Sequence, residues 1–178
     1  KAAIMGVAGV STGDVVLLAD NTSDTTDLSE VTFSSGITST YGEYIFKFYN
    51  INPATDNTTF HFQVNATDDA GGDYDTSTIT STYFHAEQPE DGSSTSQAYV
   101  PANDQAQGTA HQLISYNIGN GGDENMAGEL HLFNPSSTTY VKHFIARSTV
   151  SGGNDFLYHA SIAGYINDTT PIDEFHFQ

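Results

Sequence analysis

Apolar and polar residues alternate with a period of two through most of this chain, the signature of strands buried on one face. Phe60, Phe62 and Val64 share one side of such a segment, with His61 and Gln63 on the other. Leu130 and Leu132 alternate with His131 and Phe133 in the same way. From Tyr44 to Tyr49, and again from Tyr140 to Ile145, both alternating sets contain large residues. Strands of that kind are expected to be central or to face a neighbouring subunit. The pattern predicts strands near 14–19, 28–33, 43–51, 58–66, 76–86, 111–118, 126–133, 139–149, 156–166 and 172–177. Turn-forming clusters separate them, among them Asn52-Pro53-Ala54-Thr55-Asp56-Asn57, Asp68-Asp69-Ala70-Gly71-Gly72-Asp73 and Ser151-Gly152-Gly153-Asn154-Asp155. Short strands at this spacing predict an all-β fold, a β-sandwich of jelly-roll type.

Two segments break the alternation. Residues 20–27 are a polar linker, so 1–27 is read as an extended N-terminal arm and linker, and 28–178 as the sandwich domain. From Gln88 to Gly108 the chain is polar and broken by Pro89, Gly92 and Pro101. A long surface loop packed on a neighbouring subunit is expected there. The alternation over 172–177 runs to Gln178 without a turn, so the sandwich is expected to lack its final strand here.

Composition agrees with strands. Lys and Arg total four, and Thr, Tyr, Phe, Gly, Asn and Asp dominate. The 178 residues are long enough to bury a core without disulfides, and the absence of cysteine excludes thiolate metal sites. A formal net charge of −18 argues against nucleic acid and against anionic membrane surfaces. It suits a soluble protein in salty surroundings, where screening weakens self-repulsion. No apolar run reaches the ~20 residues of a transmembrane helix.

Candidate chemistry is sparse. Asp68, Asp69, Asp73 and Asp75 surround a Gly-Gly turn and offer hard oxygen ligands for Ca²⁺. Their spacing departs from the EF-hand loop and from the calcium-binding nonapeptide repeat, so an acidic hairpin turn is the competing reading. Six of the seven histidines fall within predicted strands, with no His-x-His or His-Glu-x-x-His motif. They are expected as neutral imidazoles on a sheet face or in the core. There is no Gly-x-Ser-x-Gly elbow and no phosphate-cradling glycine loop, and cations that would stabilise an oxyanion are rare. A non-enzymatic role is the expectation.

Four stretches carry a family likeness. They are Tyr44-Ile45-Phe46-Lys47-Phe48-Tyr49-Asn50-Ile51-Asn52-Pro53-Ala54-Thr55-Asp56, then Phe60-His61-Phe62-Gln63-Val64, then Leu130-His131-Leu132-Phe133-Asn134-Pro135-Ser136-Ser137-Thr138-Thr139-Tyr140-Val141-Lys142-His143-Phe144, then Ala163-Gly164-Tyr165 followed by Thr169-Thr170-Pro171-Ile172-Asp173. With these, the region from Phe33 to Phe177 resembles a family of marine bacteriophage virion proteins. The resemblance implies a structural protein of a virus particle, at its surface, decoration, tail fibre or knob. It implies partners in other virion proteins and location on the particle, and it defines no catalytic residues. Within that reading Phe133, Tyr140 and Phe144, around the turn set by Asn134-Pro135, are the expected interface residues. A symmetric homo-oligomer is expected, with a trimer favoured and the arm adding a strand to a neighbour's sheet. The rival readings are a carbohydrate-binding sandwich that displays Tyr residues beside Asp or Asn to a host glycan, and a Ca²⁺-stabilised extracellular surface protein.

Overall fold

The computed structural model describes residues 15–21, 28–68, 74 and 77–178. Its strands are β1 (Val31–Phe33), β2 (Glu43–Ile51), β3 (Thr58–Ala66), β4 (Ile79–Pro89), β5 (Ser96–Tyr99), β6 (Ala106–Gly108), β7 (Gln112–Ile118), β8 (Met126–Phe133), β9 (Lys142–Gly152), β10 (Phe156–Ile166) and β11 (Ile172–Phe177). The regular helical structure among the described residues is one 3₁₀ turn, Pro101–Asn103. The protein is all-β, as the alternation predicts.

All strand pairs are antiparallel. They form two layers. The larger runs β2-β8-β9-β10-β4, with β5 and β6 both on the far edge of β4. The smaller runs β1-β11-β3-β7. One bridge, Ile118 with Gly152, joins β7 to the end of β9. The jelly-roll detail finds no support in this order. β8, β9 and β10 are consecutive and lie side by side in one layer, whereas two interleaved Greek keys would send successive strands across the sandwich.

Between the layers sits a phenylalanine-rich core. Phe46 of β2 stacks on Phe175 of β11 at 4.4 Å between ring centroids. Phe62 of β3 meets Phe144 of β9 edge-on at 5.0 Å. Phe48 packs edge-on against Phe60 at 5.1 Å. These offset and edge-to-face contacts are the geometries that the ring quadrupole favours. Phe144 is 1% exposed, so it belongs to the core, not to an interface. Both faces of its strand carry apolar side chains, and only the inward set, Phe144, Ala146 and Val150, is buried.

The segment from Gln88 to Gly108 is not the irregular loop its composition predicts. β4 continues to Pro89, and β5 and β6 pair with β4 on the edge opposite β10. Side chains fasten this flap. Ser81 Oγ donates to Gln112 Oε1 at 2.6 Å and accepts from the Gln105 amide at 2.9 Å. Gln112 Nε2 reaches the Asn103 carbonyl at 3.2 Å. The Ser81–Gln112 bond is buried, and the other two lie at the edge of the flap.

At the other end, the Asn134-Pro135 turn is held by backbone bonds. Asn134 adopts φ 48°, in the left-handed region that asparagine tolerates. Its amide donates to Gly42 O, and Pro135 O accepts from Ile172. β11 lies between β1 and β3, with Val31 opposite Phe177 and Phe177 opposite Phe62. Of the predicted arm, residues 15–21 are described: they are exposed and form no strand. The rest of 1–14, the linker positions 22–27, and Asp69, Asp73 and Asp75 lie outside the described residues.

Candidate interaction face

Alternation gives the larger layer an outer face, and the strand register decides what meets there. Lys47 of β2 lies beside Glu129 of β8, Glu129 beside Arg147 of β9, and Arg147 beside Ser161 of β10. One step along the strands, Ile45, His131, Ile145 and Ala163 form the next row. Phe84 of β4 pairs with Tyr99 of β5 at 5.1 Å between rings. Ile45, Ile145, Phe84, Tyr99 and Leu157 are all more than a third exposed on this face. They are interspersed with Thr82, Thr149, His159 and Ser161, so the face is mixed, with large apolar side chains set among neutral polar ones.

The charge on this face is unlike that of the whole chain. Among the described acidic residues, only Glu43 and Glu129 occupy its outward strand positions. Lys47 and Arg147, two of the chain's four cations, balance them. Lys47 Nζ is 3.8 Å from Glu129 Oε2. Glu43 Oε1 lies 2.6 Å from His131 Nδ1, and Glu129 Oε1 lies 3.5 Å from His131 Nε2. Arg147 makes no ion pair among the described residues, although Glu129 is its neighbour across the strands. Phe133 is half-buried on the same face and stacks over His131 at 6.3 Å. Tyr140, in the turn beyond, is 71% exposed. Two of the three expected interface residues therefore lie on or beside this surface, and Phe144 does not.

The outer side of the smaller layer is polar and largely covered. His176 of β11 is buried between Tyr74, at 4.8 Å between rings, and His111, at 5.2 Å. Its Nδ1 is 3.4 Å from Thr32 Oγ1, and its Nε2 is 3.8 Å from Glu30 Oε2. Burial, and then the neighbouring imidazole of His111, hold His61 below the ordinary histidine value. Burial, and then His176, do the same to His111. No group of three His, Asp or Glu side chains is placed to hold a metal among the described residues. Of the calcium candidates only Asp68 is described, and it is exposed, accepting a hydrogen bond from Thr170 Oγ1 at 3.0 Å.

Beside these histidines an open cleft of about 500 Å³ lies between β3, β7 and the 3₁₀ turn, with Thr59, His61, Asn103, Asp104, His111 and Tyr116 on its walls. Tyr116 contacts His85 Nδ1 through its hydroxyl, and burial, then Glu87 and Tyr158, push the phenol up to about 12. Asp104 accepts from the Tyr99 hydroxyl. Sequence pattern does not reveal this cleft, because the flap that closes one side of it reads as a structureless loop.

Compared with protein-family models, curated proteins and solved structures, the chain finds no match in any of the three.

Proposed function

We propose that this protein is a non-enzymatic structural subunit that works by assembling in many copies, as a surface or appendage component of a virus particle. One observation carries the reading. The outer face of the larger layer displays several large apolar side chains and is charge-balanced, on a chain of net −18. A solvated face of so acidic a molecule has no reason to expose Ile45, Ile145, Phe84 and Tyr99 while carrying no more carboxylates, Glu43 and Glu129, than cations. The family likeness of the Tyr44–Asp56 and Leu130–Phe144 stretches supplies the virion setting. The exposed side chains of Val15 and Leu17 add a second apolar element open to a neighbour. Light scattering across a range of concentrations tests assembly. A mass that is a multiple of 19.1 kDa is expected, and a monomer throughout argues against the proposal. Antibody labelling of intact particles tests the setting.

The cleft by β7 favours a second reading, a saccharide-binding module. Asn103, Asp104 and the two histidines offer hydrogen-bonding groups beside the Tyr116 ring and Leu113, and among the described residues no cation lines the cleft. A neutral polyhydroxylated ligand suits that chemistry, and an anion does not. Binding on a glycan array that disappears in Asp104→Ala and Tyr116→Ala supports it. An array without any bound glycan removes it.

A further inference from the structure

The row Lys47–Glu129–Arg147 runs across three adjacent strands with alternating sign. Resting on the assembly reading, we infer that the occupant of the outer face is a second copy of this chain, docked face to face about a two-fold axis that runs parallel to the strands between β8 and β9.

The axis follows from the charges. A two-fold lying between two stacked sheets, parallel to their strands, exchanges the two sides of each row. Placed between β8 and β9, it sets Glu129 of one copy over Arg147 of the other, and the reverse pair beside it. Such an isologous contact satisfies two ion pairs with a single pairing rule. Arg147 is free for it, having no ion pair among the described residues. A two-fold perpendicular to the strands within this row would instead stack Lys47 on Lys47 and Glu129 on Glu129. In the neighbouring row the chosen axis places Ile145 over His131 of the partner copy, so the exposed isoleucine is covered. Charge also selects the partner. Two chains of net −18 repel through most of their surfaces, whereas this face carries Lys47 and Arg147 with Glu43 and Glu129, without excess of either sign, and sets Arg147 against Glu129. An acidic partner of another kind would leave both carboxylates opposed to its own.

The size is adequate. The axis overlaps β2, β8, β9 and β10 and leaves β4 outside; four strands at ~4.8 Å spacing, each about 30 Å long at ~3.3 Å per residue, give a shared face of roughly 600 Å². That is at the lower end of the ~600–1,000 Å² per partner of a standard specific interface. Face-to-face sheets within ~30° of parallel pack about 10 Å apart, which suits side chains of this size.

Sedimentation velocity on the full chain decides the matter, using the wild type, Arg147→Glu, Glu129→Arg, the double variant Glu129→Arg/Arg147→Glu, and Ile145→Glu. These positions are on the solvent side, and thermal unfolding confirms that each variant folds. The wild type is expected to associate. Each single charge reversal is expected to weaken association at least tenfold, as is Ile145→Glu, and the double reversal is expected to restore it. A wild-type monomer at every concentration overturns both the assembly reading and this one. An oligomer indifferent to Arg147→Glu and Ile145→Glu leaves assembly standing and overturns the face. Sensitivity to the single changes without rescue by the double overturns the axis.

Discussion

The Lys142 ammonium, on a side chain wholly closed to solvent, donates to the backbone carbonyl of Asp168 at 2.9 Å. The Thr170 carbonyl takes a second of its protons. Burial holds this lysine below its ordinary value, against the opposing pull of Asp168 and Asp68. The only wholly buried cation among the described residues thus serves as a bracket. It fixes the loop between β10 and β11, using an ammonium as donor where a water molecule would otherwise be needed.

Replacing Lys142 by methionine keeps most of the stem but leaves two carbonyls without their donor. A loss of about 2 to 4 kcal/mol is expected, in the range for buried acceptors stripped of a charged partner. Urea unfolding measures it. A change within 0.5 kcal/mol of zero would show that solvent already satisfies those carbonyls.

Phe46 and Phe175 couple the two layers. Phe175→Ala should cost about 3 to 5 kcal/mol, because Phe175 is fully buried. Phe46→Ala should cost less, since Phe46 is only partly covered. A double-mutant cycle is expected to return a coupling of about 0.5 to 1.5 kcal/mol. Strict additivity would mean that the stacked contact adds nothing beyond the burial of each ring.

Gly164 is needed for space. A Cβ there would stand 2.5 Å from Thr80 O and 2.7 Å from the Phe144 ring. The carbonyl belongs to the paired strand and cannot swing aside. Gly164→Ala should therefore destabilise by about 1 to 3 kcal/mol through overpacking, although alanine suits extended chain better than glycine does. Differential scanning calorimetry, with Gly122→Ala as the unhindered control, reads the difference.

Acid should loosen the smaller layer. His61 and His111 are both depressed by burial and by a neighbouring imidazole, with His176 and Glu30 packed alongside. A base whose folded pKa lies below its unfolded one binds fewer protons when folded. Its stabilising contribution is then complete above about pH 6.5 and shrinks as the pH falls toward the folded value. The melting temperature is expected to drop between about pH 7 and pH 5, and His61→Gln/His111→Gln to flatten that drop. An unchanged slope in the double variant would assign the acid sensitivity to the carboxylates.

Ser81 is the fastening point of the flap. Ser81→Ala removes the partner of Gln112 Oε1 and of the Gln105 amide together. Amide hydrogen exchange is expected to quicken across 96–108 by at least tenfold, while β3 and β11 stay protected. Uniform acceleration would show that the flap opens only with the whole domain.

Much of the fold is legible in the sequence. β2, β3, β8, β10 and β11 span the residues that the alternation predicts, because period-two patterning and the turn clusters between segments bound them. β5 and β6 are not legible. Ser96-Gln97-Ala98-Tyr99 has no pattern of its own and is a strand only because β4 offers it an edge. The reverse holds for 15–18, whose apolar run predicts a strand but has no partner among the described residues. The face of β9 was ambiguous for a third reason. Phe144 and Ile145 are equally apolar, and period-two patterning cannot tell inside from outside when both faces qualify. The scarcity of cations is visible from the sequence. That Lys47, Glu129 and Arg147 share one row is visible only once three strands far apart in sequence are in register.

The pairing of β1 with β11 has a mechanical consequence. Val31 sits opposite Phe177, so tension applied near residues 30 and 178 pulls adjacent antiparallel ends apart. Such a load opens the ladder one rung at a time, as a zipper yields, in place of shearing every bond at once. In a force spectrometer the first event should be the low-force release of β1, with the Phe46–Phe175 stack resisting next. A protein held at this end would act as a compliant link. Resistance to pulling would have to come from contacts elsewhere on its surface.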